Sequence, residues 1–125
     1  MSARLVFATS NAHKVEELEA ILAPAWEGFE AGCVARMSDF DVDSPVEDGV
    51  SFEENSLIKA RALARATGLA AIADDSGITV DVLGGSPGIF SARWAGSHGD
   101  DAANLRLLLE QLSDVPDRHR GAAFV

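Results

Sequence analysis

The segment Ala71-Ile72-Ala73-Asp74-Asp75-Ser76-Gly77-Ile78-Thr79-Val80 places two adjacent carboxylates and a hydroxyl at the end of an apolar, strand-like run. A strand points successive side chains to opposite faces, so only one of the two aspartates can face a given cleft while its neighbour finds other partners. Asp74 and Asp75 are therefore expected to do different jobs, and carboxylates in this position suggest a metal site. The same letters also read as an acidic turn closing a hairpin, because Asp, Ser and Gly are all turn formers. Taken alone, the turn is the commoner of the two.

The residues elsewhere in the chain change that balance. Glu47-Asp48-Gly49, Ser51-Phe52-Glu53-Glu54-Asn55 and Lys59-Ala60 stand upstream, and Ala8-Thr9-Ser10-Asn11-Ala12-His13-Lys14 lies near the N-terminus. Arg4 to Ala8 reads as a buried strand, and a helix with Val15, Leu18, Ile21 and Leu22 at helical spacing follows until Pro24 ends it. Strand, polar turn and helix in that order aim free backbone N–H groups at an anion. The turn has no glycine-rich phosphate loop, so an ordinary N-cap by Ser10 or Asn11 stands beside the anion-binding reading.

Gly28 to Met37 gives a second, weaker strand, and acidic, aperiodic Ser38 to Gly49 with Pro45 reads as a surface loop. Ser51 with Glu54 three residues on forms a capping box for a helix that runs to Thr67 and stops at Gly68. On it Asn55 and Lys59 project from one face while Ile58 and Leu63 pack inward. Lys59 is otherwise a solvated lysine paired with Asn55 or a nearby acid. Gly84 to Gly88 is a tight irregular turn after Val80 to Leu83. A last helix begins near Asp101, with Leu105, Leu108, Leu109 and Leu112 as one apolar stripe and Pro116 beyond it. Ala122 to Val125 opens a further apolar strand.

At 125 residues the chain is at most one domain, and no repeat, linker or low-complexity tract divides it. No apolar run approaches the roughly 20 residues of a membrane span, and no leader precedes the first strand, which makes a cytoplasmic protein with no membrane partner the expectation. The lone Cys33 is expected to be a small buried hydrophobe. Ten basic against twenty acidic residues, a net charge of −10, argue against a nucleic-acid partner. They do not exclude a nucleotide, since divalent metal and a few placed lysines neutralise a polyphosphate.

Metal-assisted hydrolysis of a phosphoanhydride needs oxygen ligands for Mg2+, cations on the phosphates and a carboxylate near the attacking water. Glu47 and Asp75 are the candidates to hold the ion, and Asp75 or a neighbouring acid is the candidate base. Lys14 and Lys59 supply point charges for phosphate oxygens, with Thr9, Ser10, Asn11 and Ser76 adding hydrogen bonds. His13, His98 and His119 lack a paired-ligand spacing for zinc, and no serine sits in a nucleophile elbow.

In register along the whole chain stand Ala8-Thr9-Ser10-Asn11 with Lys14 and Glu17, Glu47-Asp48-Gly49 with Phe52 and Glu54-Asn55, Lys59-Ala60, Ala73-Asp74-Asp75-Ser76-Gly77, and Gly85-Ser86-Pro87-Gly88 with Ser91-Ala92-Arg93. Together they resemble the inosine triphosphatase-like family, the non-standard purine nucleoside triphosphate pyrophosphatases also called XTP/dITP diphosphatases. The resemblance implies an α/β fold with a mixed sheet flanked by helices, a homodimer, and Mg2+-dependent hydrolysis of ITP, dITP or XTP to the monophosphate and pyrophosphate. It implies a role in removing deaminated purine nucleotides before polymerases use them. It further implies that Thr9, Ser10, Asn11, Ala12, His13 and Lys14 cradle the triphosphate and that Asp75 is both proton acceptor and metal ligand. Glu47 is then the second metal acid, Ser76 a substrate contact and Lys59 a phosphate-side lysine.

Two departures accompany the resemblance. The family usually has glycine where this chain has His13, which alters the backbone's approach to phosphate and adds a titratable group. Family members also continue for roughly another half domain, carrying a Phe-Gly-Tyr-Asp and a Ser-His-Arg segment that read the purine base. Residues 1–125 are accordingly expected to be the N-terminal part of a single inosine triphosphatase-like domain, truncated at the C-terminus, with purine selectivity lost or supplied elsewhere. Two other readings compete. One is a non-catalytic nucleotide-binding or dimerising fragment lacking the base-recognition half. The other is a signalling receiver domain, although in such domains the acid pair follows the first strand, where this chain has Thr9-Ser10-Asn11.

Overall fold

The computed structural model describes residues 3–125 and divides them into two units, one ending at Asp74 and a second spanning Asp75–Val125. In the first unit, strand β1 (Leu5–Phe7) leads through helix α1 (Ala12–Ala25) to β2 (Val34–Arg36), and helix α2 (Phe52–Thr67) leads to β3 (Ala70–Ile72). The strands form a parallel sheet in the order β2-β1-β3, with Val6 opposite Ala35 on one side and Ala71 on the other.

Alternation along β1 sorts the core. Val6 and Ala8 pack with Ala35 and Leu63 of α2, whereas Phe7 packs with Val15 of α1, Cys33 and Val34. The two helices therefore cover opposite faces of the sheet, as parallel strands require, since an uncovered face would leave apolar side chains in water. Cys33 is fully buried and free, in line with its expected role as a small hydrophobe.

The helix ends follow local chemistry. Asn11 caps α1 by accepting from the His13 N–H at 2.9 Å. Pro24 does not end this helix, which continues to Ala25. Proline so close to the C-terminus removes one backbone donor, and the Trp26 N–H still reaches the Leu22 carbonyl at 2.7 Å. Ile21, expected in the apolar stripe, is exposed, because the face toward the sheet is taken by Val15, Leu18 and Leu22. Ser51 caps α2 through the Glu54 N–H, and the helix stops at Gly68 as its sequence predicts. The reciprocal arm of the box is shifted by one residue: Glu54 accepts from the Val50 N–H at 2.8 Å rather than from Ser51. The loop before α2 is not purely superficial, since Phe40 and Val42 pack against the α2 side of the core.

The second unit pairs β4 (Ile78–Val80) with β5 (Ala122–Phe124) in an antiparallel ribbon, joined to helix α3 (Asp101–Gln111) through a core of Val80, Leu108 and Leu112. Leu105 and Leu109 are exposed, so the leucine stripe of α3 is narrower than its spacing suggests. Buried Asn104 takes a place on the inner face, accepting from the Ala95 N–H at 2.7 Å and donating to the Ala92 carbonyl at 2.9 Å. It fixes the turns of the Gly88–Arg93 stretch to the helix, which an apolar side chain of that size would not do. Gly77 lies where a Cβ would collide with the Gly88 carbonyl oxygen and sit 2.6 Å from Ser91 Oγ, so only glycine allows that close approach.

The Ala71–Val80 run is thus not one strand. Ala70–Ile72 belongs to the parallel sheet and Ile78–Val80 to the antiparallel ribbon, with Asp74 to Gly77 irregular between them. The hairpin reading falls for the same reason, because β3 and β4 are not partners of each other.

Candidate active site

The order β2-β1-β3 means that the chain leaves β1 toward one neighbour and later arrives on the other side. Crossovers on opposite faces make the carboxyl ends of β1 and β3 a topological switch point, the place where open α/β sheets bind ligands. The segments that follow these two strand ends are Thr9 to Lys14 and Ala73-Asp74, the same polar stretches that the sequence singles out. The Ala8 N–H donates to the Ile72 carbonyl at 2.8 Å, and the Met37 N–H to the Thr9 carbonyl at 3.0 Å, which ties the three strand exits together.

Lys14, at the third position of α1, reaches Asp74 with Nζ 3.0 Å from Oδ2, and both side chains are half-buried. Lys59 of α2 donates to the backbone carbonyl of the same Asp74 at 2.5 Å and lies 3.5 Å from Glu47 Oε1. Lys14, Asp74, Lys59 and Glu47, far apart in sequence, are therefore one connected polar group. Lys59 does not use Asn55 as a partner. Asn55 is 1% exposed and accepts from the Gly49 N–H at 2.9 Å, so it pins the loop that carries Glu47 to the first turn of α2.

The turn itself is held by its own side chains. Thr9 Oγ1 accepts from the Asn11 N–H at 3.1 Å, and Asn11 Oδ1 accepts from the His13 N–H. Each side chain thus uses an acceptor internally, and its donors, the Thr9 hydroxyl hydrogen and the Asn11 amide NH2, are not engaged in these two bonds. Ser10, Ala12 and His13 are exposed. No described non-glycine residue has a positive φ, so His13 sits without backbone strain of that kind. Its ring lies 3.7 Å from Glu16 on the outer side of α1 and is nearly fully solvated.

Asp75 and Ser76 open the second unit. Asp75 Oδ2 is withdrawn from solvent, while Ser76 is exposed. The two aspartates have different surroundings, as their adjacency implies, although irregular backbone rather than strand alternation separates them. Among the described residues no three His, Cys, Asp or Glu side chains converge into a ready ligand cage. Carboxylates such as Glu47 and Asp75 still suit Mg2+, which keeps waters and binds through one or two carboxylates plus substrate phosphates. Two residues were undervalued in the sequence: Asp74, through its double hold on the lysines, and Asn55, through its hold on the loop. The signals for Asn55 are its place beside Glu54 in one of the quoted motifs and a poor helix former in an early helical turn.

A polar turn and two lysines joined to acids at the switch point of a parallel sheet define an open α/β protein whose charged groups gather at its strand ends. The chain belongs to the Ham1 family, whose model matches residues 5–125. Over 121 residues it is 61% identical to a dITP/XTP pyrophosphatase of Streptomyces avermitilis, covering 97% of this chain and 60% of that protein. It matches the crystal structure of a nucleoside-triphosphatase / dITP/XTP pyrophosphatase from Mycobacterium abscessus with a TM-score of 0.80 and 49% identity, covering 99% of this chain and 62% of that one. A HAM1 protein from Coxiella burnetii matches with a TM-score of 0.82 and 37% identity, covering 98% of this chain and 59% of that one. The resemblance drawn from the motifs is borne out, and the α/β fold with it. The chain spans about three fifths of the length of these relatives. No helix among the described residues is long and apolar enough to cross a membrane.

Proposed function

We propose that the chain is the N-terminal part of a single-domain, Mg2+-dependent nucleoside triphosphate pyrophosphatase that acts on ITP, dITP and XTP in the cytoplasm, as a homodimer, to clear deaminated purine nucleotides. The observation that carries this reading is the connected group Lys14, Asp74, Lys59 and Glu47 at the strand ends of an open α/β sheet. The name dITP/XTP pyrophosphatase borne by its relatives supports the substrate class.

In this mechanism the Thr9–Lys14 turn binds the triphosphate, with the Thr9 hydroxyl, the Asn11 amide, Ser10 and the backbone of Ala12 and His13 donating to phosphate oxygens. Lys14 and Lys59 neutralise charge as compact ammonium groups, and Ser76 adds a hydroxyl contact. Glu47 and Asp75 would each offer a carboxylate to Mg2+, which would offset the negative charge of the phosphates. Asp75 takes the proton of the attacking water. The water oxygen bonds to one phosphorus of the α–β bridge, the bridging P–O bond breaks, and pyrophosphate and monophosphate separate. Asn55 and Asp74 do not touch the reacting atoms and act by fixing the Glu47 loop and the lysines.

A second reading is a non-catalytic nucleotide-binding or dimerising fragment. Pyrophosphate release from ITP, XTP, dITP and ATP with Mg2+, compared between the chain and Asp75→Asn, separates the two. Release that prefers ITP or XTP and vanishes in the variant supports catalysis. Binding of ITP without release selects the nucleotide-binding fragment, and neither binding nor release refutes catalysis and nucleotide binding alike.

A further inference from the structure

Two features of α1 fit poorly with each other. The helix N-terminus carries the positive end of the backbone dipole, which favours acids, yet the first turn of α1 contains no acid and places Lys14 there. A lysine so placed is modestly disfavoured by the helix dipole, and a nearby anion offsets that. In this chain that anion comes from outside the helix, as Asp74 Oδ2 at 3.0 Å from Lys14 Nζ, in a half-buried pair. The same residue receives Lys59 through its backbone carbonyl, a contact that does not involve the carboxylate.

We infer that Asp74 is a positioning residue whose carboxylate stands in for a phosphate at the start of α1. It holds Lys14 in the cradle while no polyphosphate is bound and yields the lysine to the incoming anion. The inference rests on the proposed phosphate-binding function and assigns to Asp74 a role separate from proton transfer or metal binding. Its consequence is opposite in sign to that of an ordinary site acid. The Asp74 carboxylate competes with the ligand, so removing its charge while keeping its shape strengthens anion binding, and only through Lys14. The carbonyl contact to Lys59 persists in the asparagine variant and keeps that lysine in place.

The test is calorimetric titration of the 125-residue chain with inorganic tripolyphosphate in EDTA, so that no metal contributes, for the unsubstituted protein, Asp74→Asn, Lys14→Ala and the double variant. A half-exposed ion pair supports a gain of about two- to fivefold in affinity for Asp74→Asn. That gain disappears when Lys14 is already alanine. Unchanged or weaker binding by Asp74→Asn, or a gain that survives in the Lys14→Ala background, overturns the inference. Lys14-dependent binding by the unsubstituted chain would then leave the phosphate cradle intact. No binding by any form overturns the cradle and the inference together. A readout free of substitution guards against a variant that fails to fold. In 13C-labelled unsubstituted protein, the Asp74 carboxylate resonance shifts on titration with tripolyphosphate as Lys14 leaves it, and an unmoved resonance at saturation refutes the exchange.

Discussion

Replacing Asn55 with alanine tests how the Glu47 loop is held. Asn55 is 1% exposed and its Oδ1 receives the Gly49 N–H at 2.9 Å, two residues after Glu47. The contact is tight, since a Cβ on Gly49 would lie 2.7 Å from that same oxygen. Alanine removes a hydrogen bond worth about 1 kcal/mol and leaves a partly buried donor unpaired at a further cost of about 1–2 kcal/mol. The expected loss is therefore about 2–3 kcal/mol, and at about 2 kcal/mol per molar of urea the unfolding midpoint of the first unit falls by about 1 M. Hydrogen exchange locates the effect: the Gly49 amide loses about tenfold or more of its protection, because local opening of the loop no longer breaks a hydrogen bond. Glu53→Ala, an exposed change on the adjacent turn, is the control and stays within about 0.5 kcal/mol. A midpoint shift under about 0.3 M, or a Gly49 amide that exchanges as before, would refute the claim that Asn55 anchors the loop.

Other substitutions give equally definite outcomes. Leu63→Ala, at a position 2% exposed beneath the sheet, costs about 2–5 kcal/mol in urea unfolding, through lost burial and the cavity left behind. Ser51→Ala removes the cap on the Glu54 N–H and costs about 1 kcal/mol, measured the same way, with the first turn of α2 fraying in amide exchange. In the second unit, Leu108→Ala costs about 2–4 kcal/mol while Leu105→Ala stays within about 0.5 kcal/mol, because only Leu108 faces the core. Equal costs for the two leucines would restore the wide stripe. Gly77→Ala forces its methyl against the Gly88 carbonyl and Ser91 Oγ and destabilises the β4–β5 ribbon by about 1–3 kcal/mol, read from exchange at the Ile78 amide.

Where the sequence was legible, the signal was local. Ser51 and Gly68 bracketed α2 because a cap and a stop act within a few residues, and Asn11 was one of two candidates for the cap of α1 on the same grounds. Where it misled, a competing contact decided. Ile21, Leu105 and Leu109 have the spacing of core residues, but the core is finite and neighbouring positions on each helix filled it first. Pro24 reads as a stop, yet in a final turn it removes little that the helix needs. Glu54 was expected to close a capping box and instead reached one residue further, to Val50.

The sequence by itself determined where α2 begins and ends, that a polar turn follows the first strand, and which side chains carry charge. These follow from interactions between residues a few positions apart, which a chain shows before it folds. Only the tertiary structure decided that Ala70–Ile72 and Ile78–Val80 enter different sheets, that β1 lies between β2 and β3, and that Asp74 meets Lys14 and Lys59 at once. Strand pairing and long-range ion pairs depend on which apolar faces cover one another. No single segment encodes that choice, because it is made by burying all of them together.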